Sequence, residues 1–429
     1  MQWIPWEPHH FQGLPRWAIP KPGAVIVTSK SHESPVSLPG GCTEPVEPAV
    51  PAAESATIHW TEAGIEQQAR WHSQSRQAAP VRIVVGDDRL SADRAYRLVQ
   101  QGTGILWRGD FQNARQLLSA LARRVGRQRQ PPRSSAAATF RQHRESRTRQ
   151  AQLLGLLLVP LASDYSVPLR RAPDVAVACT EAYGVAAGPS VIALRELTGV
   201  IGAHEWRHKG VQIPALGARI YPHYGVFSPI RGEYLALVSE APLPQAVCAS
   251  GAVAFDVGTG TGVLAAILGH RGVQRVIATD QDRRAVDCAR ENLSNLNLAG
   301  RVEVVETDLF PAGRAALVVC NPPWIPAMPA STLDHAVYDP ESNMLRRFLA
   351  GLKDHLEPEG EGWLVLSDLA EHLELRSRGE LLAMIDESGL VVVDRSGTAP
   401  THRRAGDTGD LLHAARSAEI TSLWRLKVR

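Results

Sequence analysis

Cysteine is scarce in this sequence, with 5 in 429 residues. They stand at 42, 179, 248, 288 and 320, an odd set with no metal-ligand spacing. That excludes a disulfide framework and a cysteine-based metal knuckle, and the simplest compartment is a reducing cytoplasm. Long apolar runs are missing too. The longest, Leu153 to Leu161, is far shorter than the ~20 residues that cross a bilayer, so it is expected to be a buried helix. The first residues, Met1-Gln2-Trp3-Ile4-Pro5-Trp6, lack the basic and then apolar order of a secretory signal. No membrane contact is expected. Net charge is nearly absent at +2, but the sum hides a block. Arg123, Arg124, Arg127, Arg129, Arg133, Arg141, Arg144, Arg147 and Arg149 stand against the single acid Glu145. Such a block faces RNA or a ribosomal surface, or forms a solvated linker.

The length implies two or three units, and an apolar share of 44% suffices for a sizeable core. Residues 1–80 are rich in proline, serine and alanine, densest between Pro35 and Pro51, and are expected to be largely disordered. Trp3, Trp6, Trp17, Trp60 and Trp71 are unusual for such a stretch. Residues 81–210 read as a helical domain interrupted by the basic linker. Ser91 caps a helix carrying Ala95, Leu98 and Val99; Ala114, Leu117, Leu118, Leu121 and Val125 recur at helical spacing. Further helices are expected near Leu153 and from Val191 to Ile201. Residues 211–429 begin with a hairpin and then alternate apolar strands with helices. That order predicts an α/β fold: a Rossmann-like, mostly parallel sheet covered on both faces, with an antiparallel last strand.

The chemistry concentrates in this third part. Asp256-Val257-Gly258-Thr259-Gly260-Thr261-Gly262 follows a strand pattern and opens a helix. Glycines at 258, 260 and 262 let the turn approach a ligand closely, and the helix start offers N–H groups to a carboxylate. The third glycine follows the second by two residues, the spacing that S-adenosylmethionine enzymes prefer over dinucleotide enzymes. Asp280 ends the next strand, where it can accept bonds from ribose hydroxyls. Asp308, after the third, is placed for an adenine amino group. Asn321-Pro322-Pro323-Trp324 ends the fourth. The Asn321 side-chain oxygen and the Pro322 carbonyl can accept both N–H bonds of a planar amide or amine and aim its lone pair at a sulfonium methyl. Trp324 is expected to stack on that planar group. These residues point to an S-adenosylmethionine-dependent N-methyltransferase.

With those motifs the chain resembles the HemK family of N-methyltransferases, whose members modify glutamine in peptide-chain release factors. The likeness lies in Asp256 to Gly262, Thr279-Asp280, Ala289-Arg290-Glu291-Asn292, Thr307-Asp308-Leu309-Phe310 and Asn321 to Pro326. Phe227-Ser228-Pro229-Ile230-Arg231-Gly232-Glu233 is similar to that family's segment before the first strand. The resemblance implies that Phe227, Pro229 and Arg231 line the cofactor pocket, and that the substrate is a protein glutamine loop. Relatives of that fold with the same tetrapeptide methylate adenine, and others guanine, in nucleic acid. The chain departs from the family in three places. Trp324 replaces the usual tyrosine, no aspartate stands near Ala315 or Ala316, and Tyr338 to Asn343 replaces a glycine-rich stretch.

A competing motif is His204-Glu205-Trp206-Arg207-His208, which matches the H-E-x-x-H helix of zinc peptidases, with Glu233 or Glu240 able to complete a site. The metzincin continuation is absent, since Val211 and Pro214 stand where glycine and histidine are needed. The basic residues suit the end of a helix closed by Gly210. No metal site is expected.

Overall fold

The computed structural model describes residues 56–75, 77–126, 131, 133–229, 232–329, 332–401 and 406–429. Trp3, Trp6, Trp17, Arg127, Arg129 and Arg231 lie outside the described residues.

The first folded region is a layer of sheet and helix where helices alone were expected. Its strands are β1 (Thr57–Glu62), β2 (Ile65–His72), β3 (Arg82–Gly86), β4 (Thr103–Trp107), β5 (Leu157–Leu161) and β6 (Ser190–Ala193). They lie in the order β1-β2-β6-β5-β4-β3. Every residue of β4 is buried, so it shows no alternation, and a short continuous apolar run cannot be told from a buried helix by period. The run Leu153 to Leu161 shows how the expectation failed: helix Ala136–Leu154 stops at Gly155 and β5 starts at Leu157. The expected helix at Val191 is likewise split, into β6 and helix Leu194–Lys209.

The stretch before residue 81 is not wholly irregular. β1 and β2 form an antiparallel hairpin, and β2 pairs in parallel with β6. Trp60 and Trp71 anchor it by packing with Ile58, Leu106, Leu158 and Val191. Two buried indoles supply the apolar area that the surrounding polar composition lacks. The arginine block is mostly helical as well: Arg123 and Arg124 end helix Phe111–Gly126, and Arg141 to Arg149 ride on Ala136–Leu154.

After a short hairpin of β7 (Val211–Ile213) and β8 (Ala218–Ile220) comes the expected large sheet. Its strands are β9 (Val253–Val257), β10 (Arg275–Asp280), β11 (Val302–Glu306), β12 (Ala315–Cys320), β13 (Leu356–Ser367), β14 (Leu390–Thr398) and β15 (Thr421–Val428). The order is β11-β10-β9-β12-β13-β15-β14, and β15 runs antiparallel between β13 and β14. Chain order reverses between β9 and β12, and the crevice beyond their carboxyl ends is where such sheets bind ligands. β12 is buried along its whole length and β9 along all but its first residue, as a central pair covered on both faces must be. Among the described residues, no helix is long and apolar enough to cross a membrane.

The two regions meet. Arg207 of the first bonds Glu291 of the second at 2.9 Å. Arg144 donates to the Met328 carbonyl at 2.5 Å and lies 3.7 Å above the Tyr338 ring.

Candidate cofactor and acceptor site

β9 carries the glycine turn into the crevice. Gly258 and Thr259 both donate their N–H groups to the Thr279 carbonyl, at 2.9 and 2.8 Å, which ties the turn to the end of β10. The three glycines have positive φ (73°, 57° and 80°) but different surroundings. A Cβ on Gly262 would sit 3.2 Å from the Cα of Ala289, so this glycine lets helix Arg283–Asn295 pack against the turn. A Cβ on Gly258 would meet the Met344 methyl at 3.0 Å. At Gly260 a Cβ would meet nothing within 4 Å: this face of the turn opens onto free space.

Asp256 is fully buried. Its Oδ2 accepts from the Thr259 hydroxyl at 2.5 Å and from the Ala265 N–H at 2.9 Å. Its Oδ1 is buried with no partner among the described residues. Burial pushes this carboxyl up to about 6, against the two bonds that favour its charge. An orphaned carboxylate oxygen inside a protein is costly and calls for a donor.

Asp280 is engaged from both sides. Its Oδ2 accepts from the Gly260 N–H and its Oδ1 from the Asp282 N–H, each at 3.0 Å. Burial raises its pKa as well. Each oxygen keeps a lone pair for a further donor. Fewer N–H groups face the crevice than the sequence suggested, because Ala265 and Gly260 spend theirs on Asp256 and Asp280. Asp308 is half exposed and forked by Arg347, at 2.5 and 3.3 Å. Arg347 belongs to helix Asn343–His355, whose Met344 also covers Gly258. This helix therefore overhangs the glycine turn. Its start is capped by Asp339, which accepts from Met344 N and Leu345 N at 2.9 and 3.1 Å. Just before it, Glu341 and Ser342 adopt left-handed φ of 55° and 56°, backbone strain beside the site.

Cys320 lies opposite Val257 in the parallel ladder, so Asn321 leaves β12 beside Gly258. The Asn321 Oδ1 accepts from the Trp324 indole N–H at 2.8 Å. Asn321 also hydrogen-bonds the hydroxyl of Tyr234, a buried phenol whose pKa burial raises. Tyr234 meets the Trp324 ring edge-on, with centroids 6.5 Å apart. Trp324 is 5% exposed. The expectation that its indole stacks on a substrate is therefore corrected: it is a core residue whose N–H fixes the asparagine. Pro322 is buried and Pro323 half-buried. Arg376, also buried, donates to the Trp324 carbonyl at 3.4 Å and to the Ser342 hydroxyl at 3.1 Å.

Of the upstream segment, Pro229 is buried, Phe227 half-buried, and the Ser228 hydroxyl is buried without a partner among the described residues. The segment leads into helix Glu233–Glu240, which delivers Tyr234. Tyr234, Asp339 and Arg376 were not singled out from sequence. Tyr234 stood next to a recognised segment, but nothing local ties it or Arg376 to a residue some 90 or 50 positions away.

His204 and His208 do share a helix face, but their carboxylate is Glu181. Glu233 instead accepts from Thr401, at 2.7 and 2.9 Å.

Residues 218–385 match the family model described as Methyltransferase small domain. Over 136 residues the chain is 32% identical to a Ribosomal protein L11 methyltransferase of Sorangium cellulosum, covering 32% of this chain and 37% of that one. An alignment over 136 residues to a Release factor glutamine methyltransferase of Cereibacter sphaeroides is likewise 32% identical, covering 28% of this chain and 49% of the relative. The chain thus spans under half the length of each. A solved structure titled a putative RNA methyltransferase, from Pyrococcus horikoshii, aligns with 53% of this chain and 100% of its own, at 20% identity and a TM-score of 0.33. The cofactor of the matched domain is S-adenosyl-L-methionine. The residues fit it: an open glycine face, an orphaned acid for an ammonium group, and a second acid at the end of the neighbouring strand.

Proposed function

We propose that the chain is an S-adenosylmethionine-dependent N-methyltransferase acting in the cytoplasm on a planar amide nitrogen, the side chain of a glutamine in a protein of the translation machinery. The observation that carries this reading is Asn321, held by the Trp324 N–H at 2.8 Å at the strand end beside the glycine turn.

When bound, S-adenosylmethionine supplies a methyl group made electrophilic by its positive sulfur. Asp256 Oδ1 takes the ammonium group of its methionyl part, which satisfies the buried orphan and returns the carboxyl to its charged form. Gly260 permits close approach. Asp280 accepts from the ribose hydroxyls, and Asp308, shared with Arg347, serves the adenine amino group. Phe227 and Pro229 line the pocket from the upstream side. The remaining lone pair of Asn321 Oδ1 and the Pro322 carbonyl accept the two N–H bonds of the acceptor amide. They orient its lone pair and stabilise positive charge as it develops on nitrogen. Pro322 and Pro323 stiffen the backbone that presents these oxygens. No general base is needed before transfer, since the proton can leave the nitrogen afterwards.

A protein acceptor gains support from Trp324. With its indole committed to Asn321 and Tyr234, its size no longer argues for a stacked base. Both curated relatives carry names that specify protein acceptors.

A second reading, an RNA or DNA base, has one observation in its favour. Arg141, Arg144 and Arg147 recur at three-residue spacing on helix Ala136–Leu154, the outer two exposed, and Arg144 touches the loop that follows the tetrapeptide. Transfer of labelled methyl into a cell extract, followed by separate protease and nuclease digestion, decides between them. The protein reading expects label released by protease alone; release by nuclease alone rejects it. The peptidase alternative gains nothing, because Glu205 is exposed and neither Glu233 nor Glu240 joins the histidines.

A further inference from the structure

The first region holds a cluster that the methyl-transfer reading leaves unused. His204 and His208 are one turn apart near the end of helix Leu194–Lys209, with ring centroids 4.2 Å apart. Facing them is Glu181, from helix Ala176–Tyr183. Its Oε2 lies 2.8 Å from His204 Nδ1 and its Oε1 lies 3.8 Å from His208 Nε2. One ligand atom from each residue falls within 4.8 Å of the other two.

We propose that Glu181, His204 and His208 form a binding site for a divalent transition metal of the zinc class. Two imidazoles and one carboxylate are a donor set that such an ion takes, and hard cations that demand six oxygens are poorly served by it. Tetrahedral bonds of about 2.0–2.2 Å set ligand atoms about 3.3–3.5 Å apart. The observed 2.8 and 3.8 Å, measured to the two oxygens of Glu181, bracket that separation. His208 remains 64% exposed, which gives the ion a path in and a place for water as a further ligand.

Arg207 is the obvious competitor, with Nη1 3.7 Å from Glu181 Oε1. Its other arm is committed to Glu291 at 2.9 Å, and Glu291 also bonds His223 Nε2 at 2.7 Å. It can therefore stay on Glu291 when an ion neutralises Glu181. The site would pin the helix end from which Arg207 crosses to the methyltransferase region, a structural role. Glu205, the base of a peptidase, is on another face, so no hydrolysis is implied.

The test uses the full chain, stripped with chelator and titrated with zinc by calorimetry, and with cobalt by visible absorption. The expected result is one zinc bound with a dissociation constant below about 10 μM, the appearance of cobalt d–d bands, and a rise in melting temperature with zinc. His204→Ala, His208→Ala and Glu181→Gln should each weaken binding at least tenfold while the metal-free melting curve stays cooperative. If a variant does not fold, His208→Gln, at the most exposed ligand, is titrated in its place and should lose the cobalt absorption. Absence of a stoichiometric site in the wild type, or wild-type affinity in all three variants, overturns the proposal. S-adenosylmethionine binding should be unchanged throughout, so failure here leaves the methyltransferase reading standing.

Discussion

Two aspartates sit near the end of an interior strand, one in each sheet, and they are opposites. Asp110, three residues after β4, is saturated. Gln112 N donates to its Oδ1 at 2.9 Å, and Arg170 Nε and Arg171 Nε donate to its Oδ2 at 2.9 and 2.7 Å. The Arg171 guanidinium foremost holds its pKa down at about 2. Asp256, in β9, keeps one oxygen bare in the core, and burial pushes it up to about 6. The first completes its own fold. The second leaves a bond for something else to make. An unsatisfied buried acid beside an open glycine turn thus marks the second sheet off from the first.

The largest effect that would sharpen this contrast is at Asn321. Asn321→Ala should lose at least ~2.7 kcal/mol of transition-state stabilisation, read as kcat/KM for methyl transfer. Because it strands the buried Trp324 N–H, it should also lower the melting temperature, by the equivalent of about 1–3 kcal/mol. Asp110→Ala should also unfold more readily, but with cofactor affinity intact; a loss of affinity there would break the contrast. Next come the glycines. Gly262→Ala meets backbone at 3.2 Å and should destabilise by about 1–2 kcal/mol from its φ alone. Gly260→Ala bears a similar conformational cost but, filling open space, should in addition weaken cofactor binding, as isothermal titration would show. A smaller loss is expected from Trp324→Phe, which removes the indole N–H: kcat should fall by about fivefold, matching one hydrogen bond of about 1 kcal/mol. The smallest effect is acid stability. Asp110 has a depressed pKa, so its contribution is present above about pH 4 and lost as pH falls through about 2. Asp110→Asn should flatten that limb of a stability–pH curve.

The second sheet was legible because its signals are local and ordered. The glycine turn, Asp280, Asp308 and Asn321 each follow an apolar strand, and such strands separated by helical periods have few other arrangements. The first sheet was not legible. β4 is short and buried at every residue and β5 at all but Pro160, so neither has a period to read, and β1 and β2 are held by Trp60 and Trp71 in a stretch whose composition argues for disorder. At the site, sequence gave the identity of Asn321 but not its support. The partners Tyr234 and Trp324 became visible only through packing, as did the role of Trp324 as a positioning residue. Glu181 was unreadable for the same reason, since its histidines lie on a different helix.

The central claim is that Asp256 is left unpaired for the ammonium group of S-adenosylmethionine. Its raised pKa makes the sign testable. Below about pH 6 the folded, cofactor-free protein holds Asp256 protonated, so the ligand must displace a proton; above it, the charged partner is ready. Calorimetric titration of the full chain with S-adenosylmethionine between pH 5 and pH 7.5 should show affinity rising by about tenfold, with Asp256→Asn weaker and flat across the range. Equal affinity at both ends for the wild type, or binding of a nicotinamide dinucleotide in place of S-adenosylmethionine, would contradict it.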